Sequence, residues 1–439
     1  MHRVLLLEAG QPDAPTPADL FAALDTPGRL WPGLTARRTP RAAPRSYPRG
    51  TGIGGSGSVN GLVALDPPTS DLIRWRELGL DLGRLERSGG SRCVPIADWG
   101  PADRLLAITA RAAGFPLVRR ADVDTPGVGP APLHLDALGR RISTDATHLA
   151  LARLRPNLEI RTAVHVDAVT IEHGWVTGVR GQTAEGTTTS CTARTVVLCA
   201  GAIHSPTLLL RSGIVGAGIG RNLSDHPAVG ITLALREPAD QSVPATCVVA
   251  HTDDHIQLLA LNRLGTTTEL RANGALLAAV LVPKSTGRVT LRDDGTPEVT
   301  FDLLGDAHDR FAIIRATRLL VRLTSSAEAM ADATAAFIDD HGTPVAALAN
   351  ASDATVLAWA ETNLADYVHA SGTCRFGRPE DPEAVVGRAG GVHGVTGLHV
   401  IDASVFPTSP GANPWRATVL LAEALADQLV TDRDANPAT

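Results

Sequence analysis

The chain has 439 residues, of which 44% are hydrophobic and 20% are charged, a composition typical of a globular protein with two or three domains. Its formal net charge of −6 offers no basic surface for a nucleic-acid partner. No apolar run approaches the roughly 18 residues of a membrane span. The opening stretch from Met1 to Glu8 is too short and too soon acidic for a signal peptide.

The cysteines and histidines give no sign of a metal centre. The sequence has five cysteines and no Cys-x-x-Cys pair, which favours a reducing, cytoplasmic compartment over a disulfide framework or a zinc site. His251 and His255 stand near each other, but they flank two aspartates in a stretch without other ligands. We therefore expect a solvated surface loop there and no bound metal.

Hydrophobic periodicity and turn residues predict the elements in chain order. The first is a buried strand, Val4–Leu7, which ends at Glu8. The later predicted elements are a helix over 102–114, a helix over 144–154, two strands within 165–181 joined at His173–Gly174, a buried strand over 195–199, a helix over 206–211, several strands between 231 and 304, a long helical stretch over 311–338 that is either continuous or broken in two near Ser325, a strand over 398–401 and a helix over 418–430.

Along the chain, the predicted elements first mix helices and strands, then consist mainly of strands, and finally mix helices and strands again. This order predicts a nucleotide-binding domain that is assembled from separated pieces, with a substrate domain inserted between them. An acid at the end of the second strand of such a domain holds a ribose hydroxyl about 20 residues after the glycine fingerprint. Only seven residues precede Glu8, so either Glu8 is merely a strand-end acid or this chain lacks the start of the domain.

A glycine-dense segment spans residues 50–61. Gly50 to Gly55 formally matches G-x-G-x-x-G, but no buried strand precedes it, so it fails as a Rossmann fingerprint. Glycines there would let the backbone approach a flat or phosphorylated ligand closely, and Asn60 could offer it an amide. A flexible loop and a ligand-binding loop both stay open on these residues alone.

Six ordered motifs, taken together, resemble the glucose–methanol–choline family of flavin oxidoreductases. They are Val4 to Gly10, the glycine-dense segment to Asn60, Gly201 to Ile214, Gly220 to Pro227, His369 to Gly377, and Val400 to Ser404 with Asn413. Two residues depart from the family pattern, since Gly57 replaces a serine and Phe376 replaces a methionine. The family's N-terminal G-x-G-x-x-G is absent, and we expect a misplaced start codon or a truncated gene to explain this.

The resemblance implies a fold and a cofactor. The expected fold is α/β, with a discontinuous Rossmann-like FAD-binding domain that lacks its first βα unit and an inserted α+β substrate domain. The expected limits are 1–66, 140–230 and 385–439 for the FAD-binding domain, and 67–139 and 231–384 for the substrate domain. The residues expected to bind FAD are Glu8, Gly54, Gly55, Ser56, Asn60, Val164, Asp402 and Ala403.

The resemblance also implies oxidation of an alcohol, in which a base takes the hydroxyl proton and hydride passes to flavin N5. His369 aligns with the catalytic base, and Asn413 aligns with a second catalytic position, where an amide can donate to the substrate oxygen. On the residues alone, the first could be a half-buried structural histidine and the second a turn asparagine. His204 and His226 are expected to be structural.

The implied partners are a small-molecule alcohol and, as electron acceptor, a redox carrier. A short actinobacterial subgroup associated with the redox peptide mycofactocin is similar to this chain. Two alternatives stay open. One is a lyase-like member that keeps its flavin for structure only, and the other is a truncated product that cannot hold FAD and has no enzymatic activity.

Overall fold

The computed structural model describes residues 3–11, 16–82, 90–365 and 367–435. Within these ranges the strands are β1 (Val4–Leu7), β2 (Thr35–Arg37), β3 (Arg45–Ser46), β4 (Gly127–Pro130), β5 (Leu158–Arg161), β6 (Val164–Glu172), β7 (Trp175–Thr183), β8 (Thr188–Thr192), β9 (Val196–Leu198), β10 (Ala228–Leu235), β11 (Val248–His251), β12 (Ile256–Leu261), β13 (Asn273–Val280), β14 (Arg288–Leu291), β15 (Pro297–Thr300), β16 (Ala333–Phe337) and β17 (Leu398–Val400).

The α-helices of the described ranges are α1 (Leu20–Leu24), α2 (Thr69–Glu77), α3 (Pro101–Ala112), α4 (Ala150–Ala152), α5 (Gly201–Arg211), α6 (Thr268–Arg271), α7 (Ala307–Thr324), α8 (Asp353–Thr362) and α9 (Pro414–Ala435). None of these helices combines the length and the apolar character needed to cross a bilayer. The mixture of strands and helices confirms the predicted α/β class, while the domain limits stay predictions.

The largest sheet is antiparallel and has the strand order β16-β10-β13-β12-β11-β4. Helices α3 and α7 pack against it, and the side chains between these layers form the larger of the two hydrophobic cores. Because strand β12 is buried over almost its whole length, its residues are nearly all apolar. Its one polar residue, Gln257, is fully buried.

Three parallel strand pairs of the described residues lie outside this sheet. Strand β15 pairs with β2, β1 pairs with β5, and β9 pairs with β17. Strand β9 leads into α5, while β17 leads to Asp402, so the carboxyl ends of these two neighbouring strands meet at one edge. The side chain of Val4, predicted to be buried, is half exposed because β1 has only β5 as a neighbour within the described residues.

The turn predicted at His173 and Gly174 is present in the structure. His173 and Gly174 join β6 to β7 with φ angles of 51° and 82°, which is the conformation of a tight type I′ hairpin turn. The break that the sequence allowed near Ser325 is confirmed, since α7 ends at Thr324. The helical prediction for the part beyond the break is wrong, because residues Ala333–Phe337 form the edge strand β16 beside β10. Sheet pairing there overrides the helical preference of this alanine-rich segment.

Asp103 stabilises the large sheet from the first turn of α3. Its buried carboxylate accepts hydrogen bonds from the backbone nitrogens of Cys247 and Val248 at 2.9 Å each and also contacts the amide of Asn262. These bonds attach the helix to the start of β11. Removal of the carboxylate would therefore leave two buried N–H groups unpaired.

We expect Asp103→Ala to lower the free energy of unfolding by roughly 3 kcal/mol, because unpaired buried donors keep the full cost of their desolvation. Urea denaturation monitored by circular dichroism measures this change. Asp98→Ala is the matched control, since Asp98 is exposed in the same segment and its replacement should change stability little. Equal stabilities of the two variants would contradict the assignment.

Candidate active site

A buried carboxylate, that of Asp225, organises the centre of the site. It accepts hydrogen bonds from the hydroxyl of Tyr47 at 2.7 Å, from the backbone nitrogen of His226 at 2.7 Å and from the backbone nitrogen of His369 at 2.9 Å. Burial raises the pKa of Asp225, and these three donors oppose the rise. The carboxylate thus ties together three segments that are far apart in the chain.

The side chains of His226 and His369 contact each other directly. Their Nδ1 atoms are 2.8 Å apart, and Nε2 of His226 lies 2.9 Å from the carbonyl oxygen of Pro410. Burial lowers the pKa of His226 to about 4. Burial, followed by the neighbouring His226 and by Arg49, lowers the pKa of His369 well below its usual value. Both rings are therefore neutral at pH 7.

This contact determines the tautomer of each ring. A carbonyl oxygen only accepts, so His226 carries its proton on Nε2 and has a lone pair on Nδ1. His369 must then donate from its own Nδ1, which leaves the lone pair of His369 on Nε2. This arrangement is that of a base ready to accept a proton.

Asn413 faces that lone pair. It lies directly before Pro414, the first residue of α9, a position where proline starts a helix without losing a hydrogen bond. Nδ2 of Asn413 is 3.5 Å from Nε2 of His369, and Oδ1 of Asn413 is 3.2 Å from Nε2 of Gln257. The structure therefore brings together the two residues predicted to be catalytic.

The glycine-dense segment is held by its own hydrogen bonds. Gly54 and Gly55 have φ angles of 89° and 50°, which glycine adopts at little cost, and the latter starts a short 3-10 helix that ends at Ser58. Oγ of Ser56 accepts from the backbone nitrogen of Gly50 at 3.0 Å. Oδ1 of Asn60 accepts from Arg141 at 2.6 Å, so this predicted ligand amide already has a protein partner.

The serine missing from this segment is explained by Trp415. A Cβ atom on Gly57 would lie 2.6 Å from Nε1 of the Trp415 indole, so a side chain there would displace the ring. Trp415 also contacts His134, with 3.6 Å between the ring centroids. The indole thus joins the glycine-dense segment to the start of α9, two residues from Asn413.

Glu8 lies against the start of the same segment. Its Oε1 atom accepts from the backbone nitrogens of Gly10 and Gly52 at 2.8 and 2.9 Å. The backbone nitrogen of Val164 donates to the backbone oxygen of Glu8 at 2.9 Å. Glu8, Val164 and the glycine-dense segment, all predicted to bind the cofactor, therefore lie together.

Asp402 is fully engaged with protein donors. One carboxylate oxygen accepts from the backbone nitrogen of Gly201 at 2.8 Å and from Oγ of Ser205 at 2.5 Å, while the other accepts from the backbone nitrogen of Ser404 at 2.8 Å. The aspartate therefore caps the N-terminus of α5. Ala403, the next residue, starts a short 3-10 helix and accepts from the backbone nitrogen of Gly372.

Polar atoms that have no hydrogen-bond partner among the described residues show where a cofactor such as FAD could bind. Oε2 of Glu8 receives no hydrogen bond from the described residues, so it is able to accept from ribose hydroxyls. His134 is buried, and neither of its ring nitrogens has a partner within the described part of the chain. Buried polar atoms are usually paired, so His134 beside Trp415 indicates a place for a polar ligand. The residues fit the predicted cofactor.

The predictions for four histidines had different outcomes. His226, expected to be structural, contacts His369, and its place in the Gly220 to Pro227 motif was the available signal. His251, expected on a surface loop, is buried in β11 and lies 2.9 Å from Gln257, because β11 is an inner strand of the large sheet. His255 does lie in an exposed turn. His204, also expected to be structural, stacks on Trp31.

No group of three or more His, Cys, Asp or Glu side chains in the described residues is arranged to hold a metal ion.

Gln257 and Tyr367 also belong to the site, since the Tyr367 hydroxyl donates to Oε1 of Gln257 at 2.6 Å. For Gln257, a polar residue within an apolar run was the only signal in the sequence.

Comparison with known proteins identifies relatives over nearly the whole chain. Models of the GMC oxidoreductase family match residues 36–228 and 283–422. The chain is 30% identical to a 5-(hydroxymethyl)furfural oxidase of Methylovorus sp. strain MP688, covering 98% of this chain and 94% of that protein. It is 28% identical to an oxygen-dependent choline dehydrogenase of Burkholderia thailandensis, covering 97% and 89%.

The fold is also that of solved structures. A crystal structure of pyridoxine 4-oxidase from Mesorbium loti superimposes with a TM-score of 0.84 and 24% identity, over 98% of this chain and 94% of that one. A formate oxidase structure gives a TM-score of 0.81 with 19% identity, over 99% and 94%. At these identities the likeness concerns the architecture.

The burial of His134 predicts a pH dependence of stability. Burial, followed by Arg416 and Arg141, lowers its pKa to about 3, whereas in the unfolded chain it titrates near 6.5. The unfolded state therefore binds a proton below about pH 6.5 that the folded state does not bind, and stability is lost as the pH falls. At pH 5 this one group should cost about 2 kcal/mol relative to pH 8.

His134→Phe should remove this loss, because phenylalanine keeps the ring contact and cannot bind a proton. Urea denaturation of parent and variant at pH 8 and pH 5 measures the difference. Replacement of the exposed His341 by asparagine is the control and should leave the pH dependence of the parent. If His134→Phe loses as much stability in acid as the parent, the assignment is wrong.

Proposed function

Because the chain belongs to the GMC oxidoreductase family of FAD-dependent enzymes, we propose that it oxidises the CH–OH group of a small-molecule alcohol, with His369 as the base. One observation carries the proposal. The contacts of His226 leave the lone pair of His369 on Nε2, and this atom faces the amide of Asn413. The relatives named for 5-(hydroxymethyl)furfural and choline support an alcohol as the substrate class.

Bound FAD supplies the acceptor of the substrate hydride, at flavin N5. His369 takes the hydroxyl proton at Nε2 while its Nδ1–H remains bonded to His226. Since the pKa of the buried ring is lowered, His369 is unprotonated at neutral pH and available as a base. Asp225 holds the backbone of both histidines, so the base keeps its direction during the transfer.

Asn413 stabilises the charge that develops on the substrate oxygen. An amide does not take up the proton, but its N–H donates a hydrogen bond that strengthens as the hydroxyl becomes an alkoxide. Glu8, Gly54, Gly55, Ser56, Asn60, Val164, Asp402 and Ala403 are proposed to surround the cofactor. For Asn60 and Asp402 we propose an indirect role, because their side chains already bind protein donors.

Several finer expectations stay predictions. They are the redox carrier as electron acceptor, the mycofactocin-associated subgroup, the cytoplasmic location and the limits of the two domains. Two relatives are named as an oxidase and as an oxygen-dependent dehydrogenase, so oxygen is the acceptor to compare with a carrier first. A lyase-like activity would leave the flavin oxidised in the presence of substrate, and a chain without FAD would show no flavin absorbance.

His369→Ala should slow the reduction of bound flavin by about 10²-fold or more, the usual scale for a lost general base. FAD-loaded protein is mixed without oxygen with a panel of aliphatic and aromatic alcohols, and the flavin absorbance is followed by stopped flow. Because the pKa of His369 is lowered well below its usual value, the parent rate should rise with pH in the acid range, where His369 loses its proton. The variant should lack this rise. His341→Ala, a change at an exposed histidine, is the control. Reduction of the variant flavin at the parent rate would refute the role of His369.

Asn413→Ala should slow the same step by about 10-fold or more, because one donor to the developing alkoxide is lost while the base remains. The rise of the rate with pH should therefore survive in this variant, unlike in His369→Ala. Asn350→Ala, which removes an exposed amide, serves as the control. An unchanged rate, or the loss of the pH-dependent rise, would exclude the proposed role.

A further inference from the structure

An asparagine can act as a donor to the substrate only if its amide is turned the right way. The side-chain amide of Asn413 has nearly the same shape when Oδ1 and Nδ2 exchange places. Packing alone therefore does not select between these two orientations. The selection must come from the groups that bind the amide. One such group is the lone pair of His369, and the other is Gln257 on strand β12.

Gln257 is fully buried in an otherwise apolar strand. Its Nε2 atom lies 3.2 Å from Oδ1 of Asn413 and 2.9 Å from Nε2 of His251, while its Oε1 atom lies 2.6 Å from the hydroxyl of Tyr367. Both amide protons and the amide oxygen are therefore used. A buried glutamine with all its groups paired is a rigid element.

Tyr367 determines which end of the Gln257 amide faces which partner. Its hydroxyl is buried, and within the described residues Oε1 of Gln257 is the acceptor for its proton. If the Gln257 amide turned over, this phenol proton would lose its acceptor. The amide oxygen would then face Asn413, which would turn its own oxygen towards the lone pair of His369. Two lone pairs would then oppose each other at the site.

We propose that Gln257 is a positioning residue that holds Asn413 with its amide N–H groups directed towards His369 Nε2 and the substrate. The inference rests on the proposed role of Asn413 in alcohol oxidation, and it adds the residue that makes this role possible. Gln257 acts through Asn413 and does not contact the reacting atoms.

Gln257→Glu is the decisive variant because it changes donors into acceptors at constant shape. Burial raises the pKa of a carboxyl group at this position, so the rates are compared from a pH above that pKa downwards. Where it is ionised, the carboxylate only accepts, and Asn413 would turn its N–H groups towards it and away from His369. Flavin reduction should then be slowed about 10-fold or more, as in Asn413→Ala. The ratio of parent to variant rate should shrink as the pH falls, because a protonated carboxyl group donates to Asn413 again. A purely structural defect would not be reversed by acid.

Two further variants keep the test informative. Tyr367→Phe removes only the hydroxyl that orients Gln257, and it should cause a smaller, several-fold loss that does not depend on pH; this variant decides the matter if Gln257→Glu does not fold. Gln241→Glu introduces the same carboxylate at an exposed position of the chain and should leave the rate unchanged. Parent rates in both Gln257→Glu and Tyr367→Phe would overturn the proposal.

Neutron diffraction separates this proposal from the proposed function. Deuterium atoms on Asn413 should face His369 in the parent and face the introduced carboxylate in Gln257→Glu, whether or not any alcohol is oxidised. If the amide orientation changes but no alcohol reduces the flavin of the parent, the proposed function is wrong and the positioning role holds. If Asn413 has the same orientation in both proteins, the positioning role is wrong.

Discussion

The hydrogen bonds to the buried carboxylate of Asp225 are the interaction on which the site depends. They join the backbones of His226 and His369, which are 143 positions apart in the chain, and they attach Tyr47 from the N-terminal third. A buried carboxylate is costly to desolvate unless it has enough donors, and three donors meet that need here. The same bonds place the two imidazole rings edge to face, at the distance at which one can donate to the other.

The contact between the two imidazole rings fixes which atoms donate and which accept hydrogen bonds across the site. The carbonyl of Pro410 fixes the proton of His226, which fixes the proton of His369 and leaves the free lone pair towards Asn413. On the far side, Gln257 donates to the same asparagine, and Tyr367 donates to Gln257. Because burial keeps the imidazoles neutral at neutral pH, the order of donors and acceptors is set by geometry and not by charge.

The surroundings of this pair connect it to the residues proposed to bind the cofactor. Gly57 leaves room for the Trp415 indole, and Trp415 lies at the start of α9 beside Asn413. Asp402 caps α5, while the next residue accepts a backbone hydrogen bond from the segment that follows His369. The proposed base, the proposed donor and the glycine-dense segment are thus held by contacting parts of the structure, so that a change in one would alter the positions of the others.

The sequence alone determined those elements that depend only on residues close together in the chain. The apolar run of β1, the hairpin turn at His173 and Gly174 and the helical pattern over 418–430 within α9 could all be predicted, because periodicity and turn residues act over a few positions. The motif order also located His369 and Asn413. Only the tertiary structure decided that Ala333–Phe337 is a strand, that His251 is buried, and that His226 contacts His369 while Gln257 contacts Asn413. Each of these depends on which distant segment lies alongside, and that pairing follows from the packing of the whole chain and not from neighbours in sequence.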